Sequence, residues 1–150
     1  MRNKLPKKTH EAIEKLSEEG NQLASAGRYT EAMGRYWAAF DLVPEPQTDW
    51  EATTWLISSI GDMLFQQREF TKARDAFQDA VRCPGGLGNP FIHLRLGQAY
   101  YELGDKAQAG DELTRAYMGG GRAAFAKEDP KYFQLLEKVL KPPVGHDRLP

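Results

Sequence analysis

The chain is 150 residues long, about the size of one domain, with 41% hydrophobic and 27% charged residues. Its formal net charge of −1 excludes a global basic field that would attract nucleic acid or an anionic membrane surface. No apolar run approaches the ~18 residues that a membrane-crossing helix needs.

Periodicity and stop signals predict helices and no sheet. The first spans about 8–26 and turns at Gly27; the second spans 28–42 and is stopped by Pro44. The third and fourth span about 48–67 and 69–82, and Pro84 ends the latter. The fifth and sixth span about 90–103 and 105–117, with Gly104 at the turn between them. Met118-Gly119-Gly120-Gly121-Arg122 reads as a breaker, and Ala123–Ala126 as one short turn of helix. Asp129 is placed to cap a last helix at about 130–140, with Pro130 at its first position and Phe133, Leu136 and Leu140 on one stripe. Pro142-Pro143 ends it, and 144–150 is expected to be a flexible tail.

Three segments align with one another. The first carries Gly20, Leu23, Gly27, Ala32, Tyr36, Ala39 and Pro44; the second Gly61, Leu64, Arg68, Ala73, Phe77, Ala80 and, one place early, Pro84. The third carries Gly97, Tyr100, Gly104, Ala109, Leu113 and Ala116. From the leading Gly to the first Ala is twelve residues each time, four more reach Tyr36, Phe77 or Leu113, and three more the second Ala. A mid-helix Gly costs ~1 kcal/mol relative to Ala, so its recurrence implies a close approach by a second helix. Ala32, Ala73 and Ala109 would permit that approach, and Tyr36, Phe77 and Leu113 would fill the space between the helices.

This pattern resembles the tetratricopeptide repeat (TPR) family, with repeats at about 13–46, 54–87 and 90–121. The resemblance implies an all-α fold: a short solenoid of three helix-turn-helix repeats closed by a C-terminal capping helix. The leading Trp of the family pattern is replaced by Leu16, Ile57 and His93. Gly20 to Gly61 is 41 residues and Gly61 to Gly97 is 36, so the surplus over the family's 34 lies in the connections at 45–48 and 84–90.

The resemblance also implies a concave face lined by the first helix of each pair, and a protein or peptide segment as its partner. The family's groove positions fall on Glu14, Ser17, Asn21, Ala24 and Ser25, then Trp55, Ser58, Asp62, Phe65 and Gln66, then Phe91, Leu94, Gln98, Tyr101 and Glu102. From these, Asn21, Trp55, Asp62, Phe65, Phe91, Leu94, Gln98 and Tyr101 are the expected partner-binding residues, since Trp and Tyr most often anchor interfaces. The carboxylate grip of TPR co-chaperones is not expected: Ser17 stands where its Lys belongs, and Phe91 replaces one basic residue beside Arg95.

Little points to catalysis. His10, His93 and His146 lie far apart, and His93 is read as a packing residue. The lone Cys83 cannot form an internal disulfide; a Cys83–His93 thiol enzyme lacks a third group to orient the base. Gly85-Gly86-Leu87-Gly88 and Gly119-Gly120-Gly121 lack the Lys-Ser/Thr of a phosphate loop and read as flexible connections. The acidic pairs Glu18-Glu19 and Glu128-Asp129 read as solvated charge or helix starts. No Cys/His spacing suits zinc, so no cofactor or metal is expected. The basic cluster Arg2, Lys4, Lys7 and Lys8 lies at the terminus and has no apolar run behind it to make a signal peptide.

A second resemblance is carried by Leu113-Thr114-Arg115-Ala116-Tyr117-Met118, Glu128–Phe133 and Leu140-Lys141-Pro142-Pro143. These runs are similar to small bacterial TPR proteins encoded beside polymorphic toxins, which implies an immunity protein whose groove occupies a toxin domain. The expectation is thus a non-enzymatic binding module in the cytoplasm, monomeric or weakly dimeric, with neither nucleic acid nor membrane as partner. A self-associating scaffold is the alternative.

Overall fold

The computed structural model describes residues 4–150, so Arg2 of the basic cluster lies outside the described residues. Among the described residues seven α-helices follow one another: α1 (Lys7–Ser25), α2 (Tyr29–Asp41), α3 (Glu51–Gln66), α4 (Phe70–Val81), α5 (Pro90–Glu102), α6 (Lys106–Gly120) and α7 (Pro130–Val139). Short 3-10 turns lie at Gln47–Asp49 and Arg122–Phe125, and there is no strand among the described residues. The helices pair as α1 with α2, α3 with α4 and α5 with α6, and successive pairs stack through α2 on α3 and α4 on α5. The fold is an α-solenoid, and α7 packs on α6 at its end.

Each pair is built on one contact. Gly20 is backed by the ring of Tyr36, Gly61 by the ring of Phe77, and Gly97 by the side chain of Leu113. A methyl group added at Gly20 would lie 2.6 Å from Tyr36, and one at Gly97 2.8 Å from Leu113. The large residue of the second helix therefore presses directly on the glycine backbone of the first. Ala32, Ala73 and Ala109, together with Ala39, Ala80 and Ala116, are completely buried around it. The helix-to-helix turns need a left-handed residue. Gly27 and Gly104 supply it in the outer repeats, but in the middle repeat it is Arg68, at φ 62°.

The helix ends agree with the expected spans to within one residue, with two exceptions. The third helix begins at Glu51, because 47–49 forms a separate turn instead. There Gln47 Nε2 donates to the carbonyl of Phe40 (2.9 Å) and Trp50 Nε1 to that of Pro44 (3.0 Å). The sixth helix runs through the expected breaker to Gly120. Gly119 and Gly120 are needed there for contact: a methyl group on either would meet Pro90, at 2.9 and 3.1 Å. The chain turns only at Gly121, at φ 65°.

The other glycine run is held as well. Thr54 Oγ1 donates to the Pro84 carbonyl (2.7 Å), and the Gly88 N–H donates to His93 Nε2 (2.9 Å). A side chain at Gly86 would collide with the backbone of Ala80. Both runs are corners under constraint, contrary to the expected flexible connections. The C-terminal stretch 144–150 differs from expectation in the same way. Leu149 is buried among Phe125, Phe133 and Leu136, the Tyr117 hydroxyl donates to the Pro150 carbonyl (2.6 Å), and Arg148 pairs with Glu137 (3.2 Å).

The same substitution should act oppositely at two glycines. Gly34, mid-helix in α2, has nothing within 4 Å of the site of a side chain. Gly34→Ala should raise stability by about 1 kcal/mol through helix propensity. Gly97→Ala should lower it by about 1–3 kcal/mol through overpacking against Leu113, and should cost less in a chain that already carries Leu113→Ala. Urea unfolding measures both signs.

Candidate functional site

The first helices of the three pairs, α1, α3 and α5, carry the expected groove residues. The structure divides them into an open part and a closed part.

The open part is a cleft of about 520 Å³ between α1 and α3. Its walls are Glu14, Ser17, Glu18 and Asn21 from α1, and Ala52, Trp55 and Ser59 from α3, above a floor of Ile13 and Leu56. Trp55 is 55% exposed. Asn21 is tied down, since its Oδ1 accepts from the Tyr36 hydroxyl at 2.7 Å. The Tyr36 phenol is held above its usual pKa, first by burial and then by the negative charges of Asp62 and Glu18. Of the eight expected residues, Asn21 and Trp55 line this cleft.

The closed part is organised by Arg95 on α5. Its Nε donates to Asp62 Oδ1 of α3 at 2.9 Å, and its Nη1 to Gln98 Oε1 at 2.8 Å and to Glu128 Oε1 at 2.5 Å. Gln98 Nε2 closes the ring by donating to Glu128 at 2.7 Å. The guanidinium lies 5.1 Å from the ring centres of both Phe65 and Phe91, a cation–π arrangement on two sides. Burial alone would disfavour the charge on Arg95, but Asp62 and Glu128 outweigh it and raise its pKa. Four expected groove residues, Asp62, Phe65, Phe91 and Gln98, therefore surround one internal cation. Glu128 is no solvated charge: its side chain is 18% exposed. Its neighbour Asp129 caps α7 by accepting from the Lys131 N–H at 3.0 Å.

The remaining two are covered by the C-terminal segment. Leu94 is buried with Phe125, Tyr132, Phe133 and Leu136. Tyr101 packs edge-on against Tyr132, 5.2 Å between ring centres, with the Lys106 ammonium 3.3 Å from its ring centre. Next to it, Glu102 accepts from the Tyr132 hydroxyl (2.7 Å) and pairs with Lys131. Burial would raise the Glu102 pKa, but the hydrogen bonds from Lys131 and Tyr132 and the charge of Lys131 pull it below its usual 4.5. The Tyr132 phenol is driven far up, by burial first and by Glu102 second.

The thiol pair is not assembled. Cys83 is buried, and burial followed by the charge of Asp79 raises its pKa away from the reactive thiolate. His93 is 1% exposed with both ring nitrogens engaged, Nε2 by Gly88 and Nδ1 by Glu112 Oε2 at 2.6 Å. Since Nε2 accepts, Nδ1 carries the proton and donates to Glu112. No group of three or more His, Cys, Asp or Glu among the described residues could hold a metal ion. No helix among them is long and apolar enough to cross a membrane.

Sequence reasoning missed Arg95 and Glu128 as the centre of the closed part. Glu128 is 33 residues from Arg95, and no local pattern links them. The Glu102 pair has a measurable consequence. Its depressed folded pKa means that its stabilisation is complete above about pH 4.5 and is lost as pH falls through the lower folded value. Glu102→Gln should therefore lose less stability than the native chain on acidification below that point. Equal losses in parallel urea titrations would contradict the pairing.

No protein-family model and no curated protein matches the sequence. Solved structures do match in shape. The first TPR of Spaghetti (RPAP3), bound to the HSP90 peptide SRMEEVD, superposes with a TM-score of 0.66 at 19% identity, covering 86% of this chain and 90% of that one. The C-terminal TPR-containing domain of a Plasmodium falciparum protein described as an FK506-binding protein gives 0.67 at 16% identity, covering 87% of each. The Yersinia enterocolitica type III secretion chaperone SycD, in complex with a peptide of the translocator YopD, gives 0.69 at 15% identity, covering 91% and 96%. The chain thus has the fold of a TPR solenoid, three helix pairs followed by a terminal helix.

Proposed function

We propose that this chain is a non-enzymatic protein-interaction module that captures a segment of a partner protein in the cleft between α1 and α3, with Trp55 as the anchor. One observation carries the reading. Trp55 is 55% exposed over an open cleft, whereas Phe91 is 37% exposed and stacked by Arg95, and Phe65 and Tyr101 pack against Arg95 and Tyr132. An exposed tryptophan beside a concave surface is the residue type that most often dominates an interface. Two of the similar folds were solved with bound peptides, one from HSP90 and one from YopD, which supports capture of a peptide segment here.

The partner class follows from the resemblance of the C-terminal segment. The module is proposed to act in the cytoplasm as an immunity protein that occupies a toxin domain. Co-expression with the product of the neighbouring gene tests this form: a stable complex and rescue of growth are expected, and neither forming would exclude it.

Self-association is a second reading with one observation in its favour. Leu87 and Met118 are 70% and 78% exposed, next to the contact between Gly88 and Gly119. Light scattering separates the two readings, since a strict monomer at high concentration removes the second.

Trp37 on α2 provides an internal control, being 49% exposed and outside the cleft. Trp55→Ala should weaken partner binding by about 2 kcal/mol or more, while Trp37→Ala leaves it unchanged. Calorimetric titration of the co-expressed partner measures both. The opposite order would place the site on the α2 side.

A further inference from the structure

The cleft between α1 and α3 has a charge that selects its occupant. Glu14 and Glu18 line it, and no lysine or arginine does. The only cation-forming side chain in its wall, His10, is already paired with Glu14 at 2.9 Å. No cation pairs with Glu18 among the described residues; Glu19 beside it is paired with Arg35. Behind the wall residue Asn21, which accepts from the Tyr36 hydroxyl, the charges of Asp62 and Glu18 both help to raise the pKa of the Tyr36 phenol.

Arg95, on the third of the groove helices, does not offset this charge. Arg95 is held by Asp62, Gln98 and Glu128, and only 12% of its side chain is exposed. The same cleft is lined by the exposed indole of Trp55. An aromatic face with carboxylates around it is the arrangement that recognises a guanidinium or ammonium group, through cation–π attraction and ion pairing together.

Resting on the reading of this cleft as the partner site, we infer that its occupant is a basic segment of a partner protein, with an arginine or lysine laid over Trp55 and paired with Glu14 and Glu18. Acidic segments are rejected. A peptide such as SRMEEVD, seen bound to the similar fold of Spaghetti (RPAP3), would place its carboxylates against those of the cleft, and like charges brought together at an interface oppose binding.

The test uses the full chain and two amidated probe peptides, one of arginine, leucine and alanine, the other with glutamate in place of each arginine. The readouts are tryptophan fluorescence and calorimetry. The arginine peptide should bind, and its affinity should fall as salt rises past about 0.15 M, where charges are screened over about 8 Å. The glutamate peptide should bind at least about tenfold more weakly. The double variant Glu14→Lys, Glu18→Lys should reverse that preference. Both positions are exposed, so circular dichroism should report an unchanged fold. Equal affinity for the two peptides, or a preference that survives the double variant, overturns the inference. That failure is distinct from failure of the site itself. If the co-expressed partner depends on Trp55 but not on Glu14 and Glu18, the cleft is the site and its charge selectivity is wrong. If Trp55→Ala changes nothing, the site is elsewhere.

Discussion

The structure depends on satisfying the positive charge of Arg95. A guanidinium this buried must find carboxylates, because an uncompensated internal charge costs several kcal/mol. Asp62 comes from the preceding repeat, and Glu128 from the segment that leads into α7. The second partner brings that segment back to α5, where Phe125 and α7 cover Leu94. The terminal helix is then fastened again at the other end of α5, where Glu102 meets Lys131 and Tyr132. One internal cation thus ties the third repeat both to the second and to the segment that leads into α7.

Much of the fold is legible in the sequence. The spacing from Gly20 to Tyr36 and Ala39 recurs at Gly61 and Gly97 because each pair repeats one steric contact, an aromatic or leucine side chain against a bare backbone. Such a contact leaves a periodic trace. The corners leave none. Gly119 and Gly120 read as breakers, yet they are helical, and their lack of side chains lets Pro90 pack against them. Helix propensity registers the cost of glycine and is blind to what presses on it.

The candidate site was less legible, for a related reason. Counting groove positions from a repeat template presumes that the groove is empty. Asp62, Phe65, Phe91 and Gln98 do fall where the template puts them, but an arginine occupies the space between them. Leu94 and Tyr101 lie under a segment some 30 residues further along the chain, a distance over which no periodicity carries information. Trp55 and Asn21 line an open cleft between α1 and α3, and no residue of the C-terminal segment is part of its lining. The first repeat looked merely polar in sequence. In three dimensions its Glu14 and Glu18 line the same cleft as the tryptophan of the second, which is the basis for proposing an acidic site with an aromatic anchor.

The most direct measurement is the location of binding. Amide chemical-shift mapping of the isotopically labelled chain, titrated with the arginine–leucine peptide, reports every residue at once. The account predicts shifts on α1 and α3, with the indole N–H of Trp55 among the largest, and little change on α5 and α7. Shifts concentrated on α5 and α7 would mean that the Arg95 closure opens to admit the ligand, and would contradict the account.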